Sequence, residues 1–240
     1  MVGRKVLIIG ASGGVGSAVV NRFKLAGYSL CCVARTSDRC DWISALSPSD
    51  KLVLCDLRDR ESRKLAWTEI IKWSRSIDVL VHAAGVGFGS NSMMTSLHDI
   101  SAVFEVNFLS VIDFAQRASR VMMRKQNGSI ISISSIQGSI AEKGNLAYGT
   151  SKAALNHATR ILASEFAKYG IRVNAISPTM IKTKMLNNLD KSAKDKLMEY
   201  SAARAILDPE EVAELVYFLT LESSRSINGQ IIRIDGGMPF

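Results

Sequence analysis

Lys5-Val-Leu-Ile-Ile-Gly-Ala-Ser-Gly-Gly-Val-Gly16 decides how the rest of this chain is read. Its four consecutive aliphatic residues fit a strand covered on both faces, as in a parallel sheet, whereas a half-buried strand would alternate. Gly10, Gly14 and Gly16 then turn the chain into a helix that ends near Ala26-Gly27. Such a turn lets bare backbone approach a pyrophosphate, whose charge sits over the helix N-terminus. The spacing is G-x-x-x-G-x-G, distinct from the G-x-G-x-x-G of the general dinucleotide fingerprint.

The same strand-then-helix alternation continues outward. Residues 28–34 read as a second strand, 51–55 as a third ending at Asp56-Leu57, and Asp78-Val-Leu-Val-His-Ala-Ala-Gly85 as a fourth. Gly128-Ser-Ile-Ile-Ser-Ile-Ser-Ser-Ile-Gln-Gly138 is an apolar run ending in hydroxyls, and 170–176 and 229–234 supply two more strands. Helical spacing separates them, to about residue 76, over 101–125 and over 147–168. Asp208-Pro-Glu-Glu opens a last helix, with Pro in the first turn and acids at the positive dipole end. The expected architecture is a single α/β domain over residues 1–240, a doubly wound Rossmann-type fold with seven parallel strands and helices on both faces.

In such sheets ligands sit at the carboxyl ends of the strands. The residue just past the second strand selects the dinucleotide: an acid there suits the ribose 2′-hydroxyl of NAD, a base the 2′-phosphate of NADP. Here it is Arg35, followed by Thr36 and Ser37, with Arg39 close by. Guanidinium matches phosphate geometry, so NADP(H) is expected ahead of NAD(H).

Ser135 stands at the carboxyl end of its strand, and Tyr148 and Lys152 follow at i and i+4 on one helix face. A hydroxyl, a phenol and an ammonium converging there suit proton transfer to a carbonyl oxygen as hydride reaches its carbon. A free Tyr titrates near pH 10, and bringing it near neutrality takes about 4 kcal/mol. One cation about 4 Å away supplies about that much at an effective dielectric of about 20, a role open to Lys152. Ser135 would steady the charge developing on the substrate oxygen.

The spacing, with Ser135 thirteen residues before the Tyr of Tyr148-Gly-Thr-Ser-Lys152, resembles the short-chain dehydrogenase/reductase family. The likeness runs from Val6 to Asp235-Gly-Gly-Met, with the glycine turn in that family's own form. It implies a catalytic set of Asn107, Ser135, Tyr148 and Lys152, where the Asn107 backbone holds a water linking the Lys to solvent. It also implies cofactor contacts from Gly10, Ser12, Gly14, Val15, Gly16, Arg35, Asp56, Leu57, Ala84, Gly85, Tyr148, Lys152, Ile181 and Thr183. Asp56-Leu57 would lie beside the adenine, and Ile181 and Thr183 beside the nicotinamide carboxamide. Residues 180–207, Lys-rich and Met-bearing, look like a substrate lid. Two positions depart from the pattern: His82 stands where Asn is usual, and Thr179 where Gly usually follows Pro.

The resemblance further implies a homotetramer, or less often a dimer, packed through the helices at 101–125 and 147–169. Its nearest look is to 3-oxoacyl carrier-protein reductases of fatty-acid biosynthesis, whose partner is a small acidic acyl carrier protein. Arg124, Lys125, Lys168 and Arg172 lie where a carrier would dock, although the bases those reductases use match Gln126 and Tyr169 here. A small-molecule carbonyl substrate is the alternative, and a non-catalytic cofactor-binding subunit a third reading.

Composition narrows the remaining classes. Hydrophobic residues make up 47% of the 240, without an apolar run near 18, so no membrane span is expected. A strand and glycine turn follow the N-terminal Met-Val-Gly-Arg-Lys at once, which argues against a secretory leader and for the cytoplasm. The net charge of +8 is scattered over helices without a dense run or interleaved aromatics, a pattern that disfavours nucleic acid. Cys31, Cys32, Cys40 and Cys55 contain no C-x-x-C pair, so reduced thiols are expected, with no zinc or other metal site and no disulfide.

Overall fold

The computed structural model describes residues 3–37, 41–187 and 206–238. Seven strands form one parallel sheet: β1 (Lys5–Ile9), β2 (Ser29–Ala34), β3 (Lys51–Leu54), β4 (Val79–His82), β5 (Gly128–Ile133), β6 (Ile171–Pro178) and β7 (Ile231–Ile234). Their order across the sheet is β3-β2-β1-β4-β5-β6-β7. The chain therefore starts at the centre, winds out to one edge, returns, and winds out to the other. The reversal falls between β1 and β4, which pair in register from Val6 with Val79 to Ile9 with His82. Crossovers on the two sides of such a reversal leave a crevice at its carboxyl end.

Helices cover both faces and explain why the strands read as apolar runs. On one face Val6, Ile8, Leu30 and Cys32 join Phe23 of α1 (Gly14–Leu25) and Val216 of the helix at Pro209–Phe218. On the other, Leu7, Cys31 and Ile130 pack with Ile70 of α2 (Arg60–Trp73) and Phe114 of the helix at Ser110–Met122. The adjacent Cys31 and Cys32 thus enter opposite layers, as a strand's alternation requires. Cys31, Cys32 and Cys55 are buried and in no disulfide, and burial pushes Cys31 up to about 12. Among the described residues, no helix is long and apolar enough to cross a membrane.

Element ends differ from the sequence reading where capping decides them. The helix expected from 101 starts earlier, as α3 (Leu97–Phe104), because Ser96 and Asp99 form a reciprocal capping box. It is also not one regular helix. A π turn at Glu105–Leu109 separates α3 from α4 (Ser110–Met122), with the Ser110 N–H reaching back five residues to the Glu105 carbonyl. Periodicity alone cannot register one extra residue in a turn. α5 (Leu146–Phe166) starts one residue before the expected 147, and Gly170, at φ +68°, ends the turn that follows it. A side chain on Gly170 would stand 2.1 Å from the Gln126 carbonyl oxygen, so glycine is obligatory. α6 (Lys184–Asn187) and α7 (Pro209–Phe218) complete the described helices, and Asp208 and Glu211 cap α7 reciprocally.

One buried cation braces the π turn against the sheet edge. Arg63 on α2 is 4% exposed and donates to the Leu57 carbonyl, to Glu105 at 2.6 Å and to Asp113 at 3.1 Å. Asp113 also binds Arg117, so the brace joins α2, the π turn and α4. Replacing Arg63 by Met strips these charge-assisted bonds and should lower the unfolding free energy by about 2–3 kcal/mol, read from the urea midpoint. A loss below about 0.5 kcal/mol would class the brace with ordinary surface ion pairs.

Candidate active site

The glycine turn closes on its neighbours so tightly that side chains are excluded. Gly10 has φ +84°, and a Cβ there would meet the Ala84 nitrogen at 2.5 Å. A Cβ on Gly16 would lie 2.1 Å from the Gly10 carbonyl oxygen, and one on Gly14 would lie 2.5 Å from Thr183 Cγ2. These contacts bring the turn against Ala84, just past β4, and against Thr183, past β6. Val15 is buried, Ser12 is half-buried, and Gly14 faces solvent. Gly13 caps α1 without a side-chain bond, and no acid occupies the first turn. The helix N-terminus is left with exposed amides and positive dipole, which fit a pyrophosphate.

The same crevice holds the residues expected to react. A Cβ on Gly85 would be 3.5 Å from both Asn107 Oδ1 and Lys152 Nζ, so the turn, the β4 tip and the α5 lysine are contiguous. Ser135 has an extended backbone at the end of β5, and its Oγ accepts the Gln137 N–H at 3.2 Å. Tyr148 lies in the first turn of α5, with its side chain hydrogen-bonded to Ser135. Lys152, 3% exposed, donates from Nζ to the Ile133 carbonyl at 2.9 Å.

Electrostatics correct one expectation. Burial pushes the Tyr148 phenol up from its ordinary value, opposed by its bond to Ser135, whereas sequence reasoning had Lys152 bringing it down. The cause is geometric: the ammonium is drawn back to a strand carbonyl, 5.8 Å from the phenol ring centre. Burial lowers Lys152 itself to about 8.

Asn107 lies on the π turn and uses its side chain as a clamp. Its Oδ1 accepts the Val86 N–H at 2.9 Å, and its Nδ2 donates to the Val86 carbonyl at 3.0 Å and to Ser151 Oγ at 3.1 Å. Ser151 in turn donates to the Tyr148 carbonyl at 2.7 Å. Asn107 thereby ties the β4 loop to the first turn of α5. Sequence reasoning missed Ser151, and nothing but its adjacency to Lys152 could have flagged it. It also missed Asn156, one helical turn past Lys152, which accepts from Ser134 Oγ at 2.6 Å. A third omission is Glu142, whose Oε2 accepts from Gln137 at 2.6 Å and Asn145 at 3.0 Å and so bridges the loop between Ser135 and Tyr148.

On the adenine side, Arg35, Thr36 and Ser37 are exposed at the tip of β2; Arg39 lies outside the described residues. Asp56, beyond β3 and next to the half-buried Leu57, is gripped by Arg58 through Nε at 3.0 Å and Nη2 at 2.6 Å. That fork, helped by Arg35, holds the Asp56 carboxyl down at about 2. Ile181 forms a parallel bridge with Leu207, joining the two ends of the expected lid; residues 188–205 lie outside the described set. His82 and Thr179, the two departures, are both buried, and Nδ1 of the first and Oγ1 of the second have no hydrogen-bond partner.

The four bases expected to meet a carrier are not equally available. Arg172 turns inward to the Leu219 carbonyl at the end of α7 and the Ile227 carbonyl in the segment before β7, and Lys125 pairs with Asp78 at 3.0 Å. Arg124 and Lys168 are exposed.

Residues 10–239 match the family described as enoyl-(acyl carrier protein) reductase. The chain is 31% identical to the 3-oxoacyl-[acyl-carrier-protein] reductase FabG of Thermotoga maritima, covering 98% of each chain. It is 34% identical to protein FixR of Bradyrhizobium diazoefficiens, covering 97% of this chain and 85% of that one. A crystal structure from Agrobacterium tumefaciens, described as a gluconate dehydrogenase, superposes with a TM-score of 0.91 at 26% identity, over 98% of this chain and 95% of that one. With the parallel sheet, the glycine turn and the Ser-Tyr-Lys-Asn crevice, these matches make the chain a member of the short-chain dehydrogenase/reductase family of nicotinamide-dependent oxidoreductases.

Proposed function

We propose that this chain is an NADPH-dependent reductase that converts a ketone to a secondary alcohol, with a 3-oxoacyl thioester on an acyl carrier protein as its leading substrate. The observation that carries the chemistry is the shared crevice, in which Ser135 bonds Tyr148 beside the buried Lys152. A nicotinamide held in this crevice would supply the hydride to the carbonyl carbon. Tyr148 gives its hydroxyl proton to the carbonyl oxygen, and Ser135 donates a hydrogen bond to that oxygen as its charge grows. A phenol pushed up by burial stays protonated near neutrality, as a proton donor requires. Lys152 lies 5.8 Å from the ring centre of the phenolate left behind, and Asn107 keeps the β4 loop and the start of α5 in register.

Gly10, Ser12, Gly14, Val15 and Gly16 would receive the pyrophosphate, Arg35 the 2′-phosphate, and Asp56 and Leu57 the adenine. Ala84, Gly85, Ile181 and Thr183 would line the nicotinamide side. We assign the whole chain to one dinucleotide-binding domain, cytoplasmic and tetrameric or dimeric through α4 and α5. The name of the Thermotoga relative favours a carrier-bound substrate. The inward turn of Arg172 and the pairing of Lys125 favour the second reading, a small ketone or sugar, because they leave an acidic carrier fewer bases to grip.

NADPH oxidation with acetoacetyl carrier protein should be rapid and should fall about 10²-fold or more in Tyr148→Phe. Tight NADPH binding without turnover would discard the carrier and leave small carbonyls to be assayed. Arg35→Ala should weaken NADPH about 10- to 100-fold while leaving NADH unchanged, since only the 2′-phosphate loses a charge-assisted partner. Equal wild-type affinities for the two cofactors would refute the NADP assignment. Lys152→Met should abolish activity yet raise stability at pH 7. The buried ammonium, lowered from 10.5 to about 8, costs about 3 kcal/mol wherever the lysine is charged in both folded and unfolded states. That cost fades as pH rises from about 8 to 10.5, so the gap in denaturation midpoint should close over that range.

A further inference from the structure

His82 takes no part in the reaction outlined above, yet it is 1% exposed and directly beneath the site. Its Nε2 lies 3.0 Å from Ser110 Oγ, and Ser110 Oγ lies 2.7 Å from the Val106 carbonyl oxygen. A carbonyl can only accept, so the single hydroxyl proton of Ser110 goes to Val106. Oγ then presents a lone pair to His82, and Nε2 must carry the proton that bridges them. Nδ1 meets no hydrogen-bond partner on another residue, its own backbone being its one polar neighbour, and among the charged groups Lys152 acts on the ring. Burial and that cation together hold the imidazole down at about 3, so a proton on both nitrogens is excluded near neutrality.

The two ends of this bond matter. Val106 belongs to the π turn, one residue before Asn107, and Ser110 closes it by bonding to Glu105. Four residues past His82, Val86 receives both arms of the Asn107 amide. The 82–86 segment and the 106–110 segment are thus laddered by two rungs, His82 to Ser110 and Asn107 to Val86. The first rung fixes the pitch of the turn on which the second depends, and the Phe114 ring, 6.4 Å away, backs the imidazole.

We propose that His82 is a positioning residue for the reduction: a neutral imidazole, protonated at Nε2, that props the π turn through Ser110 and so aims Asn107. The proposal rests on Asn107 serving the reaction assigned above, and its tests are separable from that assignment. In wild-type protein labelled with ¹⁵N-histidine, the resonances absent from His82→Phe should show the Nε2–H tautomer and no titration between about pH 5.5 and 9. An Nδ1–H tautomer or a titrating ring would overturn the proposal whatever the enzyme's substrate. In His82→Phe the Asn107 side-chain amide resonances should shift; unmoved resonances in a folded variant would refute the strut.

Where turnover is measurable, His82→Phe and Ser110→Ala should each lower kcat about tenfold or more, with the KM for NADPH nearly unchanged. The double variant should be no worse than the poorer single one, because both cut the same rung. His82→Gln, whose amide can donate to Ser110, should recover most of kcat. Multiplying effects, or a loss of thermal stability with kcat intact, would reduce His82 to a core residue. A wild-type protein inactive on every carbonyl tried would fail the reductase assignment alone, and the tautomer and amide shifts would still decide this one.

Discussion

A parallel sheet covered on both faces leaves its polar groups few ways out. Side chains above and below the strands are committed to apolar layers, so chemistry can emerge only at the carboxyl edge, where the strand order reverses between β1 and β4. Everything functional in this chain crowds against that edge. Gly10 abuts Ala84, Gly14 abuts Thr183, and Gly85 adjoins both Asn107 and Lys152. The closeness is what makes glycine necessary and what keeps water from Lys152. One constraint therefore accounts for the shape of the turn, the burial of the lysine and the upward push on the phenol.

That economy comes at the expense of stability. A desolvated, buried ammonium opposes folding, and the fold holds it through its bond to the Ile133 carbonyl. Around it the side-chain bonds are doubled: Asn107 grips Val86 twice, and Glu142 joins Gln137 to Asn145. Such redundancy fits a site whose reacting groups do not stabilise their own placement.

The strands, and the grouping of Tyr148 with Lys152 on one helix face, were legible in the sequence because both write themselves in short-range patterns. Lys5–Ile9 is apolar without alternation, and Tyr148 and Lys152 share a helix face through their spacing. What could not be read involves partners distant in the chain. The bonds of Asn107 to Val86 and Ser151 span 21 and 44 positions, and no spacing rule reaches that far. The π turn escaped for another reason, since one extra residue leaves hydrophobic periodicity almost intact. The inward turn of Arg172 was hidden because composition counts a cation without saying which way it faces.

The π turn also has a bearing on how the chain tolerates change in length. A regular α-helix from Leu97 to Met122 would keep better hydrogen bonds, and removing one residue between 105 and 109 would produce it. Each residue of an α-helix advances about 100°, so that edit would swing α3 and its capping box about the axis relative to α4. Asn107 could then not face Val86 and Ser151 while Phe114 kept its place in the core. The segment stores one residue of slack, and the proposed site depends on that surplus: deleting Phe108 would tidy the helix and undo the arrangement while leaving Asn107, Ser135, Tyr148 and Lys152 in the sequence.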